Sequence, residues 1–388
     1  MTKKKNVNLL NLAIVNKTKT IYNKIQYLFL LTFFENVFKG YEMRNSIHDV
    51  AKRAGVSTAT VSRVINNYGG VKESKVKAIK EALEYYDYQP SQFGRGLVKR
   101  TSGMIGVYSP FLGTTMFDDG YLIECLRGID KVISKSNYSL LLINEVEEYY
   151  KSSKSKPKFW DYVNQSRIDG LIVLNVPSDD RLESALSNIL DSDFPVGYIG
   201  QKFHEAGLNV YAQYQEYMFD MMEQYYLSGH RKIFFLADRY HSKAINKLKS
   251  SIESKYNDFS LMLFFADFDN RDINILIDIL DKYIVKEKCT GIICGTVDNA
   301  IKVVSTLNTM NINVPEDVSL IAVEHKKGEG ALMLPQINCY YVPAMEMGES
   351  VAMKLIDRLQ GKQIESASKN FKTQYILRGS VRKLPELN

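Results

Sequence analysis

The apolar positions follow different rhythms in different parts of the chain. Between residues 46 and 86, Ile47, Val50, Ala51 and Ala54 recur at helical spacing. So do Val61, Val64 and Ile65, and then Val76, Ile79, Ala82, Leu83 and Tyr86. Three short amphipathic helices are expected there, the third over 73–86. From Gly103 onward the pattern changes to continuous apolar runs, at 104–110, 139–144, 170–176, 195–200, 232–238, 260–267, 291–295 and 318–324. Amphipathic stretches such as 123–136, 216–228 and 298–310 lie between them. This is β-α-β alternation with strands buried on both faces. Two such units predict a two-lobed α/β body with a cleft, where ligands sit outside the carboxyl ends of the strands. The first 42 residues fit neither rhythm. They have a basic start and one apolar run, Tyr27–Phe34, far short of the roughly 20 residues a membrane span needs. No small-residue cleavage site follows the run, so a secretory signal is not expected either.

Within the helical region the punctuation is specific. Ser46 followed by Asp49 fits a capping box that opens a helix. Gly55 supplies a tight turn, Val56 can plug the space between two helices, and Ser57 is the next N-cap. The second helix would bury Val61, Val64 and Ile65 and present Thr58, Ala59, Ser62, Arg63 and Asn66 on its opposite face. Small residues at its front allow close approach to a major groove, and an arginine at position 63 can reach a guanine edge bidentately. The amides at its N-terminus, with the Ser57 and Thr60 hydroxyls, suit phosphate oxygens. Taken alone, the stretch also fits a plain helical hairpin.

Charge narrows the choice. Residues 1–42 carry seven Lys and two acidic residues, and residues 43–101 carry eleven Lys and Arg against five acidic residues. The net charge of the whole chain is only +6, so the remainder is slightly acidic. A basic front on an acidic body implies an anionic partner for the front alone, nucleic acid or a membrane surface. Four cysteines, Cys125, Cys289, Cys294 and Cys339, have no metal-ligand spacing and read as reduced, buried thiols of a cytoplasmic protein. No Gly-rich phosphate loop, nucleophile elbow or metal-spaced His pair is present, so neither enzyme chemistry, nor a cofactor, nor a metal is expected. His230 reads as structural, and the paired acids Asp118 and Asp119 as a helix entry.

The motifs "IHDVAKRAGVSTATVSRVINN", Y-x-Y-x-P at Tyr86–Pro90 and T-x-x-I-G-V at the junction resemble the LacI/GalR family of bacterial regulators. The resemblance runs from about Ser46 to Leu384 and is strongest at Val56–Val64. It implies an N-terminal all-α helix-turn-helix domain followed by an α/β two-lobed periplasmic-binding-protein-like sensor domain. It further implies a cytoplasmic homodimer without a membrane role, reading a pseudo-palindromic double-stranded DNA operator. By that resemblance Thr58, Ala59 and Arg63 read bases, and Ser57, Thr60 and Ser62 hold the backbone. Asn66 lies beside them. The domains expected are 43–89 for the head, 90–101 for a hinge helix and linker, and 102–388 for effector binding and dimerisation. In the linker, Leu97 falls at a position where the family wedges a leucine into the minor groove, with Arg95 on phosphate. An ordinary packing role for Leu97 is the other reading. Gly94 and Gly96 each cost a helix about 1 kcal/mol relative to Ala.

In the sensor, this chain departs from the family. Ile199-Gly200-Gln201 stands where members carry I-D-R, and Gln213-Tyr214 where they carry D-N. Thr296-Val297 replaces N-D, and Ala322-Val323-Glu324 replaces G-F-D. Acids and amides recognise vicinal hydroxyls, so their loss argues against a standard pentose or hexose effector. Phe117, Asp118, Lys247, Thr296 and Glu324 remain as candidate effector-binding residues for a small molecule of the sugar or sugar-derivative kind. The function expected is a repressor of a carbohydrate or related metabolic operon. The alternative is a solute-binding-type sensor whose small-molecule response is lost or replaced by a protein partner. Finally, Lys39-Gly40 must be encoded by a purine-rich run just before Met43. Residues 1–42 are therefore expected to be a translated leader or a disordered extension.

Overall fold

The computed structural model describes residues 46–66, 68–88, 101–110, 117, 119–145, 149, 151–152, 155–175, 180–200, 202–238, 242–266 and 273–385. The 1–42 extension, Arg95, Leu97, Asp118 and Gln201 lie outside the described residues. The chain divides into two units, one ending at Lys99 and one beginning at Arg100.

The first unit holds three helices, α1 (Ile47–Ala54), α2 (Thr58–Ile65) and α3 (Glu73–Tyr85). The Ser46 amide and hydroxyl both donate to Asp49 Oδ2 at 2.7 Å, the reciprocal half of the expected capping box. Gly55 closes α1 in the left-handed region, φ 62°, and the Val56 amide then donates back to the Ala51 carbonyl at 3.0 Å. One buried cluster, Val50, Ala51, Val61, Ile79 and Ala82, joins the three helices. Val56, Val64, Ile65, Leu83 and Tyr86 pack around it. The Arg53 guanidinium lies 3.4 Å from the Tyr85 ring centroid, tying α1 to α3 over the edge of this small core.

The second unit is built on two six-stranded sheets. Its strands in chain order are β1 (Met104–Ser109), β2 (Ser139–Asn144), β3 (Gly170–Leu174), β4 (Val196–Gly200), β5 (Leu208–Tyr211), β6 (Lys232–Asp238), β7 (Ser260–Ala266), β8 (Gly291–Cys294), β9 (Ser319–Glu324), β10 (Asn338–Tyr341), β11 (Ser368–Asn370) and β12 (Gln374–Ile376). The first sheet has the order β11-β5-β4-β3-β1-β2 and is parallel throughout. The second has the order β12-β10-β9-β8-β6-β7, with only β12 antiparallel. The chain therefore passes between sheets after β5, after β10 and after β11. The expected strands all form, whereas β5, β10, β11 and β12, three or four residues long, carry no continuous aliphatic run of the kind that marks β8.

Helices α4 (Gly120–Ile133), α5 (Phe159–Asn164), α6 (Asp180–Asp191), α7 (Tyr214–Leu227), α8 (Ser242–Lys255), α9 (Ile273–Leu280), α10 (Val297–Thr309) and α11 (Ala344–Leu359) cover the sheets. The central strands are buried on both faces, as Leu171–Leu174 in β3 and Leu320–Ala322 in β9 show. His230 is completely buried, with its ring nitrogens on Thr290 Oγ1 at 2.8 Å and the Arg382 carbonyl at 3.1 Å. Burial lowers its pKa to about 4, so it is a neutral core residue, as expected. The four cysteines are free and buried. Among the described residues no helix is long and apolar enough to cross a membrane.

Helix α11 leaves the second sheet and packs across the first, against α4. At the crossing, Gly128 of α4 faces the Met345 carbonyl and Gly348 of α11 faces the Cys125 carbonyl, so closely that any side chain at either position would collide with backbone. Lys131 and Glu349 close the crossing with an ion pair at 2.6 Å. Gly128→Ala is expected to destabilise the sensor unit by about 1–3 kcal/mol through overpacking. Urea unfolding followed by fluorescence checks this, and an unchanged midpoint would mean that the two helices separate freely.

Candidate nucleic-acid interface and ligand cleft

Helix α2 has two chemically different sides. Val61 is completely buried against the head core, with Val64 and Ile65 partly buried beside it. On the other side Ala59 and Arg63, one turn apart, are exposed. Ser57 caps the helix: its Oγ accepts from the Thr60 amide at 3.3 Å and sits 2.9 Å from the Thr60 hydroxyl. The amide of Asn66 donates to the Ser62 carbonyl at 2.9 Å, so it is turned onto its own helix. Thr58, Thr60 and Ser62 are half-buried along the flank. The sequence-derived reading face is therefore one contiguous strip, with Arg63 as its only long cationic side chain.

In the sensor unit the ligand candidates take different places. Phe117 is 61% exposed, just before α4. Lys247 is exposed on α8. Thr296 lies two residues beyond β8 and N-caps α10, its hydroxyl accepting from the Asn299 amide at 3.2 Å. Glu324, at the end of β9, has partners that its place in the sequence did not suggest. It is completely buried, and both carboxylate oxygens are already engaged by the chain. Arg378 Nη2 donates at 3.0 Å, and the Gly328 and Gly330 amides each donate at 3.1 Å. Burial alone would raise its pKa, but these three partners outweigh it and hold the carboxyl below its ordinary value. Arg378 also reaches the Ile337 carbonyl at 2.8 Å. Glu324 thus fastens the turn after β9 to the C-terminal segment, which spacing alone could not reveal because Arg378 lies 54 residues away.

Other groups mark the cleft that the sequence did not single out. Where α4 begins, the Tyr121 ring meets the His325 ring edge-on at 5.1 Å, bridging the first lobe to the carboxyl end of β9 in the second. A Cβ on Gly120 would sit 3.8 Å from Asp298 Oδ2. Asp119 caps α4 through the Tyr121 and Leu122 amides, at 2.8 and 3.1 Å, which matches its reading as a helix entry. Ser109, at the carboxyl end of β1, is buried, and its hydroxyl has no hydrogen-bond partner among the described residues. These positions become visible only when topology brings strand ends from both lobes together.

Together, a capped head with an exposed reading helix and a two-sheet sensor define a bacterial DNA-binding regulator with a periplasmic-binding-protein-like body. Residues 46–91 match the family model "Bacterial regulatory proteins, lacI family", and residues 222–381 match "Periplasmic binding protein-like domain". The chain thus carries a LacI-family helix-turn-helix domain and a periplasmic-binding-protein-like domain. It is 26% identical to catabolite control protein A of Priestia megaterium over 340 residues, 84% of this chain and 96% of that one. It is 24% identical to the HTH-type transcriptional repressor CytR of Escherichia coli K12, covering 89% of this chain and 99% of that one. The lac repressor dimer bound to operator and the anti-inducer ONPF superposes with a TM-score of 0.65 at 16% identity, over 87% of this chain and 99% of that one.

The Glu324–Arg378 pair makes a direct prediction. Glu324→Ala leaves an unpaired guanidinium in a site where the Arg378 side chain is only 8% exposed. The sensor unit is expected to lose about 3–5 kcal/mol in denaturant unfolding. The double variant Glu324→Ala/Arg378→Ala should lose less than the sum of the single changes, and an additive loss would contradict the pairing.

Proposed function

We propose that the chain represses a bacterial operon by binding a pseudo-palindromic operator as a homodimer, with operator affinity set by the state of the sensor lobes. The observation that carries this reading is the α2 face, where Ala59 and Arg63 stand exposed above a buried Val61. A small residue beside a forked cation lets the helix approach base edges and pair bidentately with guanine. Ser57, Thr58, Thr60, Ser62 and Asn66 complete the DNA face, and Arg95 and Leu97 extend it into the linker. In this reading the protein is a cytoplasmic regulator rather than an enzyme. Arg63→Ala should cost about 1–3 kcal/mol on a selected operator and relax discrimination at one base pair, with non-specific binding nearly unchanged. Binding-site selection followed by titration at fixed salt checks this, and full discrimination in the variant would refute the assignment.

Dimerisation through the second lobe is supported by an apolar projection in the β9–β10 connection. Leu332 and Leu334 are 87% and 88% exposed, flanking Met333, which anchors the loop in the core. Leu332→Asp with Leu334→Asp is expected to give a monomer by sedimentation and to lower operator affinity steeply. A dimer that persists would move the interface elsewhere.

For the effector, a small molecule between the lobes is supported by the Ser109 hydroxyl, which has no partner among the described residues, and by the Tyr121–His325 bridge, which lobe movement would open or close. A second reading, a sensor that answers to a protein partner instead, is favoured by one observation. The Glu324 carboxylate and the Thr296 hydroxyl, two groups at the ligand end of the strands, are spent on the chain itself. A thermal-shift screen of metabolites separates the two: a ligand that raises the unfolding temperature and shifts operator affinity supports the first.

A further inference from the structure

The loop that follows α2 holds the reading arginine at both its main chain and its side chain. The Tyr68 amide donates to the Arg63 carbonyl at 2.8 Å, folding the loop back over the last turn of the helix. One step on, Arg63 Nη2 donates to the Gly69 carbonyl at 3.1 Å. The direction of that carbonyl is set by the peptide plane between Gly69 and Gly70, and so by the φ of Gly70. That angle is +91°, in the region open to glycine and strained for other residues. Gly69 is different: its φ is not positive in this way, and an added Cβ there would meet nothing within 4 Å. At Gly70 a Cβ would stand 3.6 Å from Arg63 Nη2, an ordinary contact. Gly70 is thus required by its backbone angle and not by space.

We infer that Gly70, through the Gly69 carbonyl, is a positioning residue that aims the Arg63 guanidinium at the base it reads. A free arginine at a helix end samples many rotamers, and ordering it on DNA reduces affinity. The Gly69 carbonyl takes one of the five guanidinium N–H groups and leaves four, enough for a bidentate pair to guanine O6 and N7 with the fork already oriented. The contact supplies no base discrimination itself; it acts through Arg63. This inference rests on Arg63 being a base-reading residue.

The test uses the full chain, its selected operator and a scrambled duplex. Gly70→Ala is expected to lower operator affinity roughly 3- to 10-fold, the scale of one ordinary lost hydrogen bond. Affinity for the scrambled duplex and the salt slope should not change, because no phosphate contact is touched. Gly69→Ala should bind like the parent. In an Arg63→Ala background, Gly70→Ala should cause no further loss. Head folding is followed by circular dichroism. If Gly70→Ala unfolds the head, Gly70→Asn carries the test, since Asn tolerates left-handed backbone better, and the same loss and the same dependence on Arg63 are expected. The proposal is overturned if the Gly70 variant weakens both duplexes equally, or weakens the operator as much without Arg63 as with it. An Arg63→Ala protein that keeps full base discrimination would fail the reading beneath it, a result distinct from an effect of Gly70 that ignores Arg63.

Discussion

Backbone meets backbone where α4 crosses α11, and the architecture of the sensor depends on that contact. Helix α11 arrives from β10 of the second sheet and lies across β3, β4 and β5 of the first. Gly128 and Gly348 let it sit against α4 with no side chain between them. Helix α4 in turn carries Tyr121 at its first turn, and Tyr121 touches His325 at the end of β9. A helix that comes from one lobe is thereby locked to a helix whose tip reaches back to that lobe. The two lobes are thus joined by three chain passages and by this crossing, not by a free tether.

Much of this was legible in the chain. The head was readable almost to the residue, because capping, turn and core signals are local: Ser46 with Asp49, Gly55, Ser57, and apolar spacing of three and four. The buried strands were readable as runs, with ends displaced by one or two residues. What escaped were features with no local signature. Strands β11 and β12 are held by pairing across the sheet, since three residues cannot show a period. Glu324 looked like a ligand group because its position in the chain suggested a pocket, whereas its partner is set by topology. The two glycines after Tyr68 carry no local signature either, and only the Arg63 hydrogen bond gives one of them a geometric role.

The polar groups of the second lobe show a pattern of self-satisfaction. Asn338 Oδ1 accepts from the Arg378, Gly379 and Ser380 amides, at 2.7, 2.8 and 3.1 Å. Its amide donates to the Tyr375 hydroxyl at 2.9 Å. With Glu324–Arg378 beside it, this network fastens the C-terminal segment to β9 and β10. A buried carboxylate is tolerable only when each of its lone pairs is used, and here the chain supplies the donors itself. A ligand competing for Glu324 would have to displace Arg378 and leave it buried without a counter-charge.

That cost separates the two lobes. In the second, the polar groups at the β9 end are already spent, so recognition there would rely on shape and on the Tyr121–His325 contact rather than on a free acid. In the first, the buried Ser109 hydroxyl has no partner among the described residues. The head reaches the opposite arrangement from the same rule: Arg63 has more donors than the Gly69 carbonyl can accept, and the surplus faces outward. Where donors and acceptors balance, the chain is holding itself together. At Arg63 and, among the described residues, at Ser109 donors and acceptors do not balance.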